Sequence, residues 1–250
     1  MPKGPAQTLI IILAQLTKIG KMKKILAFAL CFVLMTSCSD DDDPAIPDTG
    51  GLSTTPDAKI EYNDNNYGIY KGIFVGSSGI IKININNDNN VNAMMVVDGV
   101  TYNFTTEEVV VEGEAITELT FTSGLNSFIF NVGADGVNPN ISYLSMEGHP
   151  FANTEVIKEY SDAQVRCYQG AYSGAEAGVF NFVTIENGLF GLSMANGATD
   201  TYYLSGSING GSITGSFSDG AFQGAAVGNA VSGSWETSSG TGSWNAQRKL

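Results

Sequence analysis

Apolar and polar residues alternate along most of the chain. Ile81, Ile83 and Ile85 are separated by Lys82, Asn84 and Asn86, so an extended segment here has one apolar and one polar face. After the turn-forming run Asn87-Asp88-Asn89-Asn90 the alternation resumes at Val91, Ala93, Met95 and Val97, which predicts a hairpin. Tyr102 with Phe104, Leu119 with Phe121, and Phe128 with Phe130 and Val132 keep the same period. Beyond residue 38 no segment sustains the helical period; only Thr154 to Tyr160 has room for one or two helical turns. The body is expected to be all-β, with about eight strands in each half. It reads as two tandem antiparallel meander modules, either small eight-stranded barrels or one curved sheet.

Two repeats support that division. Tyr70-Lys71-Gly72-Ile73-Phe74, followed by Gly79-Ile80-Ile81, corresponds to Tyr168-Gln169-Gly170-Ala171-Tyr172, followed by Gly178-Val179-Phe180, and Tyr102 corresponds to Tyr202. The modules are placed at residues 58–162 and 163–250. Within the second, Gly188, Gly197, Gly206, Gly215, Gly224, Gly233 and Gly242 recur every nine residues, and Gly215-Ser216-Phe217, Gly233-Ser234-Trp235 and Gly242-Ser243-Trp244 repeat one phrase. A strand and a tight turn together fill about nine residues, so the period marks a meander of short strands. Calcium-binding nonapeptide rolls share the period but need an Asp in each unit, which is missing here.

Charge adds a compartment to this picture. Five of the twelve basic residues (Lys3, Lys18, Lys21, Lys23 and Lys24) precede Cys38, and no acid occurs before Asp40. The remainder, with twenty-five acids against seven bases, is a poor partner for nucleic acid. One His and three Cys leave little material for a zinc site, and no cofactor or metal is expected.

Met22-Lys23-Lys24, the apolar run Ile25 to Met35 and the small residues before Cys38 have the layout of a secretory signal, so residues 1–37 are assigned to it. The signal proper reads from Met22; residues 1–21, with a second apolar patch at Leu9 to Leu13, precede it. The eleven-residue run is short of the ~20 residues that span a bilayer as a helix. Leu34-Met35-Thr36-Ser37-Cys38 resembles the lipobox of bacterial lipoproteins, with Met35 where that family usually has Leu. The resemblance implies that Cys38 becomes the acylated first mature residue. Ser39-Asp40-Asp41-Asp42-Asp43 is similar to the acidic export tag of Bacteroidota surface lipoproteins, which implies an outer-membrane lipid anchor facing the cell exterior. Residues 38–57, rich in Pro, Gly and acid, then read as a tether. A membrane-spanning barrel is not expected, because strands such as Ser212 to Ser218 offer Ser, Thr and Gly where lipid demands apolar side chains.

Candidate chemistry is sparse. His149, before Pro150, reads as a turn residue, no Gly-x-Ser-x-Gly elbow occurs, and Cys167 reads as a small buried thiol. Glu107, Glu108, Glu112, Glu114 and Glu118 form the densest acidic cluster and read as a solvated hairpin, with a glycosidase-like carboxylate pair as the alternative. Asn84, Asn86 and Asp88, and the loop Asn63-Asp64-Asn65-Asn66, carry oxygen ligands but too few carboxylates for calcium; Asx turns account for them. Tyr70, Tyr202, Tyr203, Trp235 and Trp244 are the candidate ligand-binding aromatics, with Tyr62 and Tyr67 beside them. The expected function is a non-catalytic binding or structural role, with the membrane reached through lipid and a glycan or protein as ligand. The alternatives are an envelope polysaccharide hydrolase using Glu pairs, or a barrel carrying a small lipophilic ligand.

Overall fold

The computed structural model describes residues 51–250. The signal, Cys38 and the run Ser39 to Asp43 lie outside the described residues. After a short 3-10 turn at Ile60–Tyr62 come β1 (Gly68–Val75), β2 (Gly79–Ile85), β3 (Val91–Val97), β4 (Val100–Thr105), β5 (Ile116–Ser123), β6 (Asn126–Val132), β7 (Asn140–Ser145) and β8 (Asn153–Lys158). The second set is β9 (Arg166–Gly174), β10 (Gly178–Ile185), β11 (Gly188–Ala195), β12 (Tyr202–Asn209), β13 (Ser212–Phe217), β14 (Gly220–Val227), β15 (Ala230–Thr237) and β16 (Thr241–Arg248). The protein is all-β: an eight-stranded sheet, β7-β6-β5-β4-β3-β2-β1-β8, is followed by a closed eight-stranded barrel in which β16 pairs with β9. Residues 154–158, where a helical turn had room, are strand, paired with β1 from Thr154↔Phe74 to Lys158↔Tyr70. Thr154, Val156 and Ile157 are β-branched, and the open partner edge of β1 decides the conformation.

The two sets correspond strand for strand. The matched pentapeptides fall on β1 and β9, and Tyr102 and Tyr202 on β4 and β12. Matched glycines do matched work: a Cβ on Gly72 would overlap the carbonyl oxygen of Glu155 on β8, and one on Gly170 that of Asn245 on β16. These are the strands that return to close each set, and only glycine lets them approach so nearly.

Closure differs between the sets. In the second, every neighbouring pair is laddered. In the first, β8 returns to β1, but β7 and β8 are not laddered and β4 meets β5 at the single pair Thr105↔Thr122. The connections explain this. Residues 106–115 and 146–152 link these strands, where the second set uses only Gly210-Gly211 and residues 238–240. Long loops release the register that tight turns enforce. The first set is a nearly closed barrel.

The nine-residue glycine period has a packing cause inside the closed barrel. Gly215 pairs with Phe222, Gly233 with Trp244 and Gly242 with Trp235. A Cβ on Gly242 would stand 2.5 Å from Trp235 Cε2, and one on Gly224 2.6 Å from Trp244 Cζ2. Gly215, Gly224 and Gly242 vacate interior space that aromatic rings of other strands occupy, whereas Gly206 and Gly233 lie against neighbouring backbone and Gly197 sits in a turn. The barrel is filled by Tyr168, Phe180, Phe182, Phe222 and Trp244.

A third cluster joins the sets. Ile73, Val75 and Ile80 pack on Val165, Cys167, Val183, Leu192 and Met194. All eight residues of β1 are therefore buried, one face in its own barrel and the other against β10 and β11. Asn181, buried in this layer, donates to the carbonyl of Phe74 at 2.8 Å and accepts from the amide of Gly170 at 2.9 Å. Cys167 is fully buried here, and burial pushes its thiol pKa up to about 12. Iodoacetamide followed by peptide mass spectrometry should leave Cys167 unmodified in the native protein and alkylate it fully in urea. Substantial native labelling would contradict this packing.

The segment read as tether is engaged before it ends. The carbonyl of Ser53 accepts from Gln164 and Arg248, and that of Asp57 from Asn87. The Asp57 carboxylate meets Lys71 at 2.9 Å and Lys82 at 2.8 Å, while Lys71 reaches the buried Glu159 at 2.5 Å. Burial raises the Asp57 pKa, but hydrogen bonds from Lys82 and Lys71 more than offset it and leave the pKa below the ordinary value. In Glu159 burial outweighs Lys71, and the pKa is raised.

Candidate aromatic mouth of the closed barrel

In an up-and-down barrel alternate connections emerge at the same end. The turns after β9, β11, β13 and β15 thus surround one mouth, and the aromatic residues beside them converge there. Tyr172, Phe180, Tyr202, Phe217 and Trp235 line a depression of about 90 Å³, with Glu176 and Asp219 at its edge. Trp235 is held in place: its indole N–H donates to the carbonyl of Ser173 at 3.1 Å, and its ring meets Tyr172 edge-on at 5.9 Å and 87°. Beneath, Phe180 stacks on Trp244 at 5.0 Å, and the Trp244 indole donates to the carbonyl of Ser234. This aromatic layer forms a rigid floor. Burial raises the Tyr172 pKa, and Glu176 and Tyr202 add to the shift, so its phenol stays protonated at neutral pH and able to donate.

The five aromatics singled out from the sequence divide between places. Tyr202 and Trp235 meet at the mouth, and Trp244 lies in the floor below them. Tyr203, 64% exposed, is paired with Leu192 on β11 rather than turned into the depression. Tyr70 is a core residue of the first barrel: its ring packs edge-on against Phe130 and its hydroxyl donates to the carbonyl of Asn66 at 2.7 Å. A tyrosine in an apolar strand looks available for a ligand until its hydroxyl partner is seen. Tyr62 and Tyr67 pack edge-on against each other, and the Tyr67 hydroxyl donates to the carbonyl of Val110.

Tyr172, Phe180, Phe217, Glu176 and Asp219 were not singled out. Turn parity was the available signal, since every one lies within about three residues of a connection on the same end.

The remaining candidates lie apart from the mouth. Glu107, Glu108, Glu112, Glu114 and Glu118 are all exposed. Glu108 accepts from the amide of Thr120 and Glu112 from the side chain of Asn65, so those two carboxylates hold the loop in place. Glu108 and Glu114 border a depression of about 130 Å³ whose other walls are aliphatic or small. Asn84 donates to Asp88 and accepts from the amide of Asn87 three residues on, so local side-chain-to-backbone bonding, one residue wider than an Asx turn, accounts for this loop. In the other oxygen-rich loop, buried Asn66 donates to the carbonyl of Val111 and accepts from the amide of Gly113. Among the described residues no three His, Cys, Asp or Glu side chains group as a metal site would require. His149 is half-buried in the β7–β8 connection, its amide bonded to the carbonyl of Met146. A broader concavity of about 470 Å³ lies against β13–β16, bordered by the exposed Thr214, Gln223, Glu236 and Thr241. Phe222 and Trp235 also reach it, but Tyr172, Tyr202 and Phe217 do not.

Neither a family model nor a curated protein matches the chain. The class is therefore set by architecture: tandem antiparallel meanders, one nearly closed and one closed as a small barrel. Fold alone assigns no activity.

Proposed function

We propose that the protein is a non-catalytic binding protein of the cell envelope, carried at the outer surface by acylation of Cys38, with the mouth of the closed barrel as its ligand site. The observation that carries the binding part is the depression of about 90 Å³ lined by Tyr172, Tyr202 and Trp235 above a filled interior. Small-molecule pockets start at ~300 Å³, so the mouth suits one small group rather than a whole lipophilic ligand, and the carrier reading loses support. The anchoring part rests on the sequence Leu34 to Asp43.

Feeding cells an alkyne-tagged palmitate should label the protein, and Cys38→Ser should abolish the label. Proteinase treatment of intact cells should digest the protein. Complete protection would defeat surface display, and undiminished label in the Cys38→Ser variant would defeat the anchor.

A further inference from the structure

Resting on that reading of the mouth, we infer that its ligand is a small organic ammonium ion. Cations are attracted to the electron-rich faces of Trp and Tyr, and carboxylates at the same place add a charge of the right sign. The mouth joins both, with Tyr172, Tyr202 and Trp235 beside Glu176 and Asp219.

Charge across the module strengthens the case. The connections around the mouth span residues 175–177, 196–201, 218–219 and 238–240; they carry Glu176, Asp200 and Asp219 and no Lys or Arg. The module's three bases, Arg166, Arg248 and Lys249, sit where β9 begins and β16 ends, the opposite end of the barrel. Glu186, in the β10–β11 connection, is the module's one acidic side chain at that far end, so the nearly neutral module remains polarised, and a concave site ringed by one sign of charge concentrates the opposite ion.

Shape selects among neutral and cationic ligands. A sugar stacks on a broad exposed ring face; of the three rings only Tyr202, 43% exposed, offers one, while Trp235 is 7% exposed and stands at 87° to Tyr172. Two perpendicular rings make a corner, which fits a compact, roughly spherical group. The volume of about 90 Å³ is about three times the ~30 Å³ that one water takes in the liquid, the scale of a substituted ammonium group. A phosphodiester beside the ammonium would be repelled by the acidic rim, so a free amine fits better than a lipid head group.

The chain has two tryptophans, and Trp235 at the mouth is a built-in reporter. Choline titrated into the protein should give a saturable change in tryptophan fluorescence. Its uncharged isostere 3,3-dimethylbutan-1-ol should bind at least about tenfold more weakly, a difference of ~1.4 kcal/mol. The Glu176→Gln/Asp219→Asn double variant should weaken choline by a similar factor, with binding of the isostere unchanged as the check that the site is intact. Glycerophosphocholine should bind more weakly than choline; equal or tighter binding would keep the ammonium chemistry but transfer its source to a head group. If the isostere matches choline and the double variant changes nothing, the ammonium inference falls while the mouth remains a binding site. If neither compound alters the fluorescence at any concentration up to 100 mM, the inference is overturned and the reading of the mouth loses its support with it.

Discussion

Gly233→Ala should cost the protein about 3 kcal/mol or more, whereas Gly188→Ala, in the same nine-residue series, should cost almost nothing. Gly233 lies on β15 between Gly224 of β14 and Trp244 of β16. A methyl group there would overlap the carbonyl oxygen of Gln223 and come within 2.6 Å of the Gly224 Cα. These are backbone atoms in a ladder closed on both sides, so they cannot swing away as a side chain can. Moving β14 aside would push Gly224 against the Trp244 ring, already the atom nearest to an added Cβ there among the side chains. At Gly188 the nearest atoms are the tip of the Phe190 ring at 3.0 Å and the carbonyl of Ile185 at 3.4 Å, and an exposed ring can rotate away. Thermal or urea unfolding of the two variants measures the contrast. Equal losses would mean that the glycine period serves turn geometry alone.

That pair of substitutions marks where the sequence stops being readable. The period of nine was legible as a strand plus a turn, because both lengths are local. Its reason was not, since the ring or backbone that excludes a side chain at Gly215, Gly224, Gly233 or Gly242 belongs to another strand whose register is fixed only when the barrel closes. The same holds for β1. Its residues Ile69, Tyr70, Ile73, Phe74 and Val75 break the alternation that makes β3 easy to read, because both faces are covered, one by a module almost a hundred residues away. The duplication survived in local features: matched pentapeptides, matched glycines and matched tyrosines. The unequal closure of the two sheets follows from loop lengths at residues 106–115 and 146–152, which no strand pattern encodes.

The mouth was half visible. Tyr202 and Trp235 stood out as aromatics, yet Tyr70 and Trp244 carried the same signal and do not line the depression. What separates them is position in the barrels: Tyr202 opens β12 and Trp235 stands two residues from the end of β15, both at the mouth, while Trp244 lies a residue deeper in β16 and Tyr70 belongs to the first barrel.

Lys71→Met should destabilise the protein by about 3–5 kcal/mol, and Lys82→Met by no more than about 1 kcal/mol, although both lysines contact the same Asp57 carboxylate. Lys71 is 2% exposed and lies between Asp57 and Glu159, the latter fully buried. Removing its ammonium leaves Glu159 with only weak donors, such as the amide of Val165 at 3.3 Å and that of Asp57 at 3.4 Å. A buried carboxylate without its cation must take up a proton or draw water into the junction, and either course costs stability. Lys82 is a third exposed, so water replaces much of what it gives, and Asp57 keeps Lys71. The Lys71→Met/Glu159→Leu double variant should recover most of the loss, because an apolar pair of similar volume escapes the desolvation that the ions must repay. Urea unfolding of the three variants decides it. If the double variant is as unstable as Lys71→Met, the loss comes from packing rather than from an unpaired charge. The location gives the ion cluster its importance: Asp57 is where the chain arriving from the tether enters the fold, and Glu159 stands at the end of the first sheet, just before β9 begins. A lysine from β1 thus ties the entry of the chain to the junction of the two modules, and removing it should loosen both together.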